Sequence, residues 1–237
     1  MSVRRTLPLS LGALILLAAG CGRTGDPHAA WRETVSQLST FPAYTSGRYA
    51  ASMAVSNLLD RGDHGFGFFE DGAGLVMHRG TACRIDADGR AQPAVREAAI
   101  AFAIATWFEP DDIFSVVNLN DRVFRNSMNW KKPDTGHVQA IRVEGRFKFV
   151  TLLPPGTLAR SGSLQQGGTR TLEQVNGALV GFRMPESAGN SVPAGFNFYF
   201  IAADFSAGGE ASQFELAGGR IEIDITPNLH LVLPTTR

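Results

Sequence analysis

Cysteine is almost absent: Cys21 and Cys83 are the only two in 237 residues. With Cys21 lipidated, Cys83 is the only thiol left, so an intramolecular disulfide, a CxxC redox pair and a cysteine-based metal site are all excluded. Neither sign of charge is in excess, because 22 lysines and arginines face 22 aspartates and glutamates. A nucleic-acid or other polyanion partner therefore has no basic balance to rest on. The histidines His28, His64, His78, His137 and His230 are scattered, and no two lie two, three or four residues apart. Local spacing thus builds no multi-histidine metal site. GxSxG, P-loop, GxGxxG and HExxH motifs are missing, as are internal repeats and low-complexity tracts.

What is present is an ordinary globular composition, 44% hydrophobic and 19% charged, enough for one large domain or two small ones. The apolar run at 7–19 follows Arg4 and Arg5 and is too short for a stable span, which marks an export signal. Residues 17–21 read Leu-Ala-Ala-Gly-Cys and resemble a bacterial lipobox, with Ala18 where leucine is usual. The expectation is a signal peptide at 1–20, a lipidated Cys21, and a polar tether at 21–30 that holds an exported protein to a membrane of the cell envelope. The alternative is a plain secretory signal cut after Ala18 or Gly20, leaving a secreted or periplasmic soluble protein. Removing 1–20 takes away two arginines and no acids, so the mature chain carries 20 basic and 22 acidic residues, a net −2.

In the mature chain, 31–40 suggests a short helix. A second is expected at 54–61, with Val55, Leu58 and Leu59 on one face and Gly62 as the stop. Strand signals dominate afterwards. Residues 65–70, 74–79 and 81–86 read as a meander, with Cys83 a buried filler in its last strand. Asp86-Ala-Asp88-Gly89 has turn chemistry, and lacks the carboxylates of a calcium loop. Residues 98–108 suit a strand buried on both faces, 113–130 is ambiguous and partly helical, and 138–153 reads as a hairpin around Glu144-Gly145. A polar glycine-rich loop at 161–168 and short strands at 179–182, 196–201, 214–216, 221–225 and 229–233 complete the chain. In Ile-Glu222-Ile-Asp224-Ile the two acids share a face: a carboxylate pair for acid–base work, or, better favoured, a solvated strand face. Phe196, Phe198 and Phe200 alternate with Asn197, Tyr199 and Ile201, which predicts one apolar and one mostly polar face. Asn197, Tyr199 and, beyond a Gly208-Gly209 loop, Glu210 are then expected to share a cavity.

Several stretches resemble the alpha-acetolactate decarboxylases. In 39–67 the matching positions are Gly47, Tyr49, Met53, Leu58, Leu59, Gly62, Asp63, Gly65 and Gly67. Ala-Ile-Arg-Val-Glu-Gly at 140–145 and the Gly-Ala-Leu-Val-Gly-Phe run at 177–182 are similar to two further family motifs, and the likeness is collinear from about Thr34 to Pro234. The resemblance implies an α+β, predominantly β fold. It consists of an N-terminal mixed sheet with short helices over about 31–137 and a barrel-like β half over about 138–237. It also implies a homodimer, zinc as a Lewis acid, and conversion of 2-acetolactate to acetoin and carbon dioxide.

The sequence departs from that pattern where the chemistry lies. The three family metal-ligand histidines fall on Asn197, Tyr199 and Glu210, the family acid on Leu75, and the family arginine on Leu153. The chain ends at Arg237, short of the family tail that supplies a further glutamate. An amide, a phenol and one carboxylate are a weak zinc set, so the expectation is an impaired or inactive member that carries no zinc and binds a small-molecule ligand in the remaining pocket. Two alternatives stay open: a lyase with a rearranged site using Glu210 with His64, His78 or His230, and a structural envelope lipoprotein.

Overall fold

The computed structural model describes residues 28–47, 53–131, 136–154 and 168–233. The signal, the lipobox and most of the 161–168 loop lie outside them. After a 3-10 turn at Ala29–Trp31 come β1 (Thr34–Leu38), α1 (Phe41–Thr45), β2 (Met53–Ala54), α2 (Val55–Leu59), β3 (His64–Phe69), β4 (Gly74–His78), β5 (Thr81–Ile85), β6 (Ala91–Pro93), β7 (Ala99–Thr106) and β8 (Asp112–Asn120). Then follow α3 (Asp121–Lys131), β9 (Val138–Leu153), β10 (Arg170–Met184), a second 3-10 turn, β11 (Gly195–Ala202), β12 (Gly208–Thr226) and β13 (Asn228–Val232).

The strands form two sheets. The first runs β13-β1-β7-β3-β4-β5-β6 with β2 also on β7, and is mixed because β1 pairs parallel to β13. The second runs β11-β10-β9-β12-β8, and a β11–β12 pairing closes its first four strands into a ring. The barrel-like half predicted above is this ring. The sheets trade strands across residue 138: β8 hydrogen-bonds to the second sheet, and β13 returns to the first.

Three apolar layers hold the fold. Phe66, Phe68, Phe102 and Ile104 of the first sheet meet Val180, Phe182, Tyr199 and Ile201 on the outside of the ring. Phe147, Val150, Phe198, Phe200 and Phe214 fill the ring, and Phe124 of α3 sets its edge against Phe196, Phe198 and Phe214 at 5.7, 5.7 and 5.8 Å. Val55 and Leu58 of α2 cover the far face of the first sheet with Leu38, Leu75 and Met77. The meander, α2, the doubly buried β7 and the Asp86 turn all form as the sequence suggests, with Asp86 Oδ1 accepting from the backbone N–H of Asp88 and Arg90. Cys83 is buried in β5, and desolvation raises its thiol pKa, consistent with a filler rather than a nucleophile.

Three expectations are corrected. Residues 34–38 are a strand rather than part of a helix, because β1 finds ladder partners on both sides, β7 and β13, and packing overrides a weak local preference. Residues 138–153 are one strand without a turn. Gly145 serves there in a close approach of strands, paired with Gly177 on β10 and Gly219 on β12. A Cβ on Gly145 would lie 2.3 Å from the Gly218 carbonyl oxygen. Bulges at Ala211/Gln213, Glu215/Leu216 and Leu216/Gly218 bend β12 around the same point. Finally, Glu222 and Asp224 are 3% and 4% exposed rather than on a solvated face.

Gly145→Ala is expected to destabilise the fold by about 1–3 kcal/mol, a fall of roughly 2–12 °C in thermal midpoint for a domain of this size. Gly168→Ala, where an added Cβ meets nothing within 4 Å, should leave the midpoint unchanged.

Candidate functional site

Tyr199 on β11 stands opposite Glu210 on β12, and Glu210 stands opposite Leu153 on β9. Directly paired residues put their side chains on one face, so these three form a row across the ring wall. The open polar cavity expected here is not formed. Tyr199 and Glu210 are each 3% exposed, and the Tyr199 ring stacks on Phe66 at 4.5 Å with Phe68 edge-on at 6.0 Å. Its hydroxyl hydrogen-bonds Glu210, and burial together with the Glu210 charge pushes the phenol pKa well above its usual value. Asn197 is turned onto its own loop, its amide nitrogen donating to the carbonyls of Pro193 at 2.8 Å and Gly195 at 3.1 Å. Leu75 sits on the opposite face of the first sheet, fully buried among Leu38, Leu58 and Met77. The structure therefore unites Leu153, Glu210 and Tyr199, leaves Asn197 beside them with its donors spent, and separates Leu75.

These residues do not fit a zinc ion. Zinc takes imidazole, thiolate or carboxylate. A phenol whose pKa is raised holds its proton, the Asn197 amide is committed to backbone, and one carboxylate remains, already bonded to Tyr199. Among the described residues no three His, Cys, Asp or Glu side chains could hold a metal ion together. The histidines have other surroundings. His64 is fully buried, its Nε2–H donates to the Gly181 carbonyl at 3.2 Å, and desolvation, reinforced by the Arg142 charge, lowers its pKa to about 3. His78 binds Glu144, and His230 lies edge-on to Trp31.

The polar cluster of the molecule lies elsewhere and was missed in the sequence. Arg142 Nε donates to Glu222 Oε2 at 2.6 Å, both side chains being buried, and the Arg142 guanidinium covers the Phe108 ring at 4.3 Å. Arg220 joins Glu222 at 2.7 Å and Glu144 at 3.5 Å. Glu144 in turn takes Arg79 side-on, at 2.8 Å from both Nε and Nη2, and His78 Nε2 at 3.1 Å. His78 and Arg79 hold the Glu144 carboxyl pKa far below the ordinary range. The available signal was complementarity: Ile-Arg-Val-Glu on one strand and Arg-Ile-Glu on another place opposite charges at matching alternate positions.

Asp224, two residues along, accepts from the Glu109 N–H at 3.1 Å. Burial first, then the charges of Asp111, Glu33 and Asp63, raise its pKa to about 7. The folded state then binds this proton more tightly than the unfolded chain, whose aspartate titrates near 4. Stability from this group is present in full below about pH 4 and is lost as pH rises to about 7. Asp224→Asn is expected to flatten the fall in thermal midpoint between those pH values and to exceed the wild type at pH 8, as read by unfolding at a series of pH values.

The chain is similar to known proteins along most of its length. The family model for alpha-acetolactate decarboxylase matches residues 35–237. The alpha-acetolactate decarboxylase of Methanosarcina mazei is 32% identical over 216 residues, covering 86% of this chain and 73% of the relative. That of Klebsiella aerogenes is 27% identical, covering 84% and 80%. The crystal structure of the Bacillus subtilis strain 168 enzyme superposes with a TM-score of 0.77 at 25% identity, covering 86% of this chain and 90% of that one. The family-model match over residues 35–237, with the 32% identical relative, places the chain in the alpha-acetolactate decarboxylase family.

Proposed function

We propose that this chain is a family member that has given up zinc and the decarboxylation of 2-acetolactate, and that it serves in the cell envelope as a binding or interaction protein. The observation that carries the reading is the Tyr199–Glu210 pair, hydrogen-bonded and packed on Phe66 where the family's metal ligands fall. A Lewis acid at that point would stabilise the enediolate formed as carbon dioxide leaves, and an arginine would hold the substrate carboxylate. Here the ring of Tyr199 fills the space, and Leu153, opposite Glu210, offers no charge. Each such loss removes several kcal/mol of barrier stabilisation. Ligand binding at this position is also disfavoured, because Tyr199 is packed in the core and Glu210 is buried against it.

Elemental analysis of the purified protein after zinc loading, with an acetoin assay on 2-acetolactate, tests this. The expected result is zinc far below one ion per chain and acetoin at the uncatalysed rate. One zinc per chain together with turnover overturns it in favour of a rearranged lyase.

The envelope address rests on residues 7–21, the apolar run that ends at Cys21. A membrane anchor through a lipidated cysteine needs no spanning helix, and no helix of the described residues is long and apolar enough to cross a membrane. Cys21→Ala is expected to shift the protein from the membrane to the soluble fraction and to remove the acyl mass from the N-terminal peptide. Unchanged fractionation would point to the plain secretory signal.

A further inference from the structure

A cleft of about 600 Å³ opens between the β4–β5 turn, the glycine approach of β9 and β10, and the end of β11. It lies at the middle of β9, around Glu144 and Gly145, whereas the Tyr199–Glu210 row lies at the Leu153 end. Gly145 and Gly177 line it without side chains, Ile201 and Phe205 give an apolar wall, and His78, Arg79, Glu144 and Arg146 supply the polar groups.

Four observations mark it as a receptor for an anion. Two arginines, Arg79 and Arg146, line the cleft against one acid, Glu144, which is already taken by His78, Arg79 and Arg220. Arg146 is exposed at the cleft and has no ion-pair partner among the described residues. His78 Nε2 is held by Glu144 while Nδ1 is buried with no hydrogen-bond partner, so Nδ1 offers an anion an N–H when the ring carries both protons. Arg79 (φ 49°) and Phe205 (φ 56°) both occupy the left-handed region, where glycine or asparagine would fit at less cost. A bulky residue held there on each wall of one cavity is backbone strain of the kind that collects at ligand sites.

We propose that this cleft binds a small organic carboxylate, with its head at Arg146 and His78 and its carbon body against Ile201 and Phe205. The cleft already grips one carboxylate, that of Glu144, through the planar edge of Arg79, the geometry guanidinium uses for this group. The apolar wall favours an anion with a carbon body over inorganic phosphate. The inference does not depend on whether zinc is retained, because none of its residues belongs to the Tyr199–Glu210 row.

Calorimetric titration of the full chain with benzoate and with inorganic phosphate, alongside NMR of the His78 ring nitrogens, tests the proposal. Saturable benzoate binding, weaker phosphate binding and a shifted His78 Nδ1 resonance are expected. Arg146→Ala should weaken benzoate at least tenfold with an unchanged thermal midpoint, and Phe205→Ala should weaken benzoate more than phosphate. Absence of saturation with benzoate, equal affinity in Arg146→Ala, or phosphate binding as tightly as benzoate would each overturn it.

Discussion

The close approach of three backbones at Gly177, Gly145 and Gly219 is the constraint on which the second half of the molecule depends. With no side chain to hold them apart, β10, β9 and β12 coil tightly enough for β12 to reach β11 and close the ring. That closure places Glu210 opposite Tyr199, aims Phe147, Phe198, Phe200 and Phe214 inward, and leaves Tyr199 and Ile201 facing the first sheet. The glycines also leave the floor of the Arg146 cleft bare. One backbone feature thus sets the position of the Tyr199–Glu210 row and of the polar cleft together.

The two polar regions meet the cost of burial in different ways. In the row, one phenol and one carboxylate satisfy each other and need no ion. In the cluster, Glu144 and Glu222 are surrounded by His78, Arg79, Arg142 and Arg220, and alternating charge shares the desolvation penalty. Asp224, close by in sequence, has acids rather than arginines around it, so it binds a proton instead. Glu144 on β9 and Asp224 on β12 are thus shifted in opposite directions, Glu144 down beside His78 and Arg79, Asp224 up through burial and then the acids around it.

Much of the fold was legible in the residues, and the reasons are local. Glycine and aspartate turns separate the meander strands, and uninterrupted apolar residues mark β7 as buried on both faces, whereas α2 ends at Asp60 and Gly62 serves the close approach of Thr106. Residues 34–38 and the Glu144-Gly145 pair were misread because their states depend on distant partners: β13 for the first, Gly177 and Gly219 for the second. The face of Glu222 was misread for the same reason, since alternation reports which residues share a face but not what covers it.

By itself the sequence determined the family, the β-rich order of elements and the asparagine, tyrosine and glutamate at positions 197, 199 and 210, because these are matters of residue identity and collinear pattern. Only the tertiary structure decided what those three residues do. Asn197 turns back to its loop, Tyr199 enters the core, and Glu210 becomes its hydrogen-bond partner. It also decided that the charged residues of the β4–β5 turn, β9 and β12 assemble in one cluster beside the cleft, because pairing between strands far apart in the chain sets which side chains share a space.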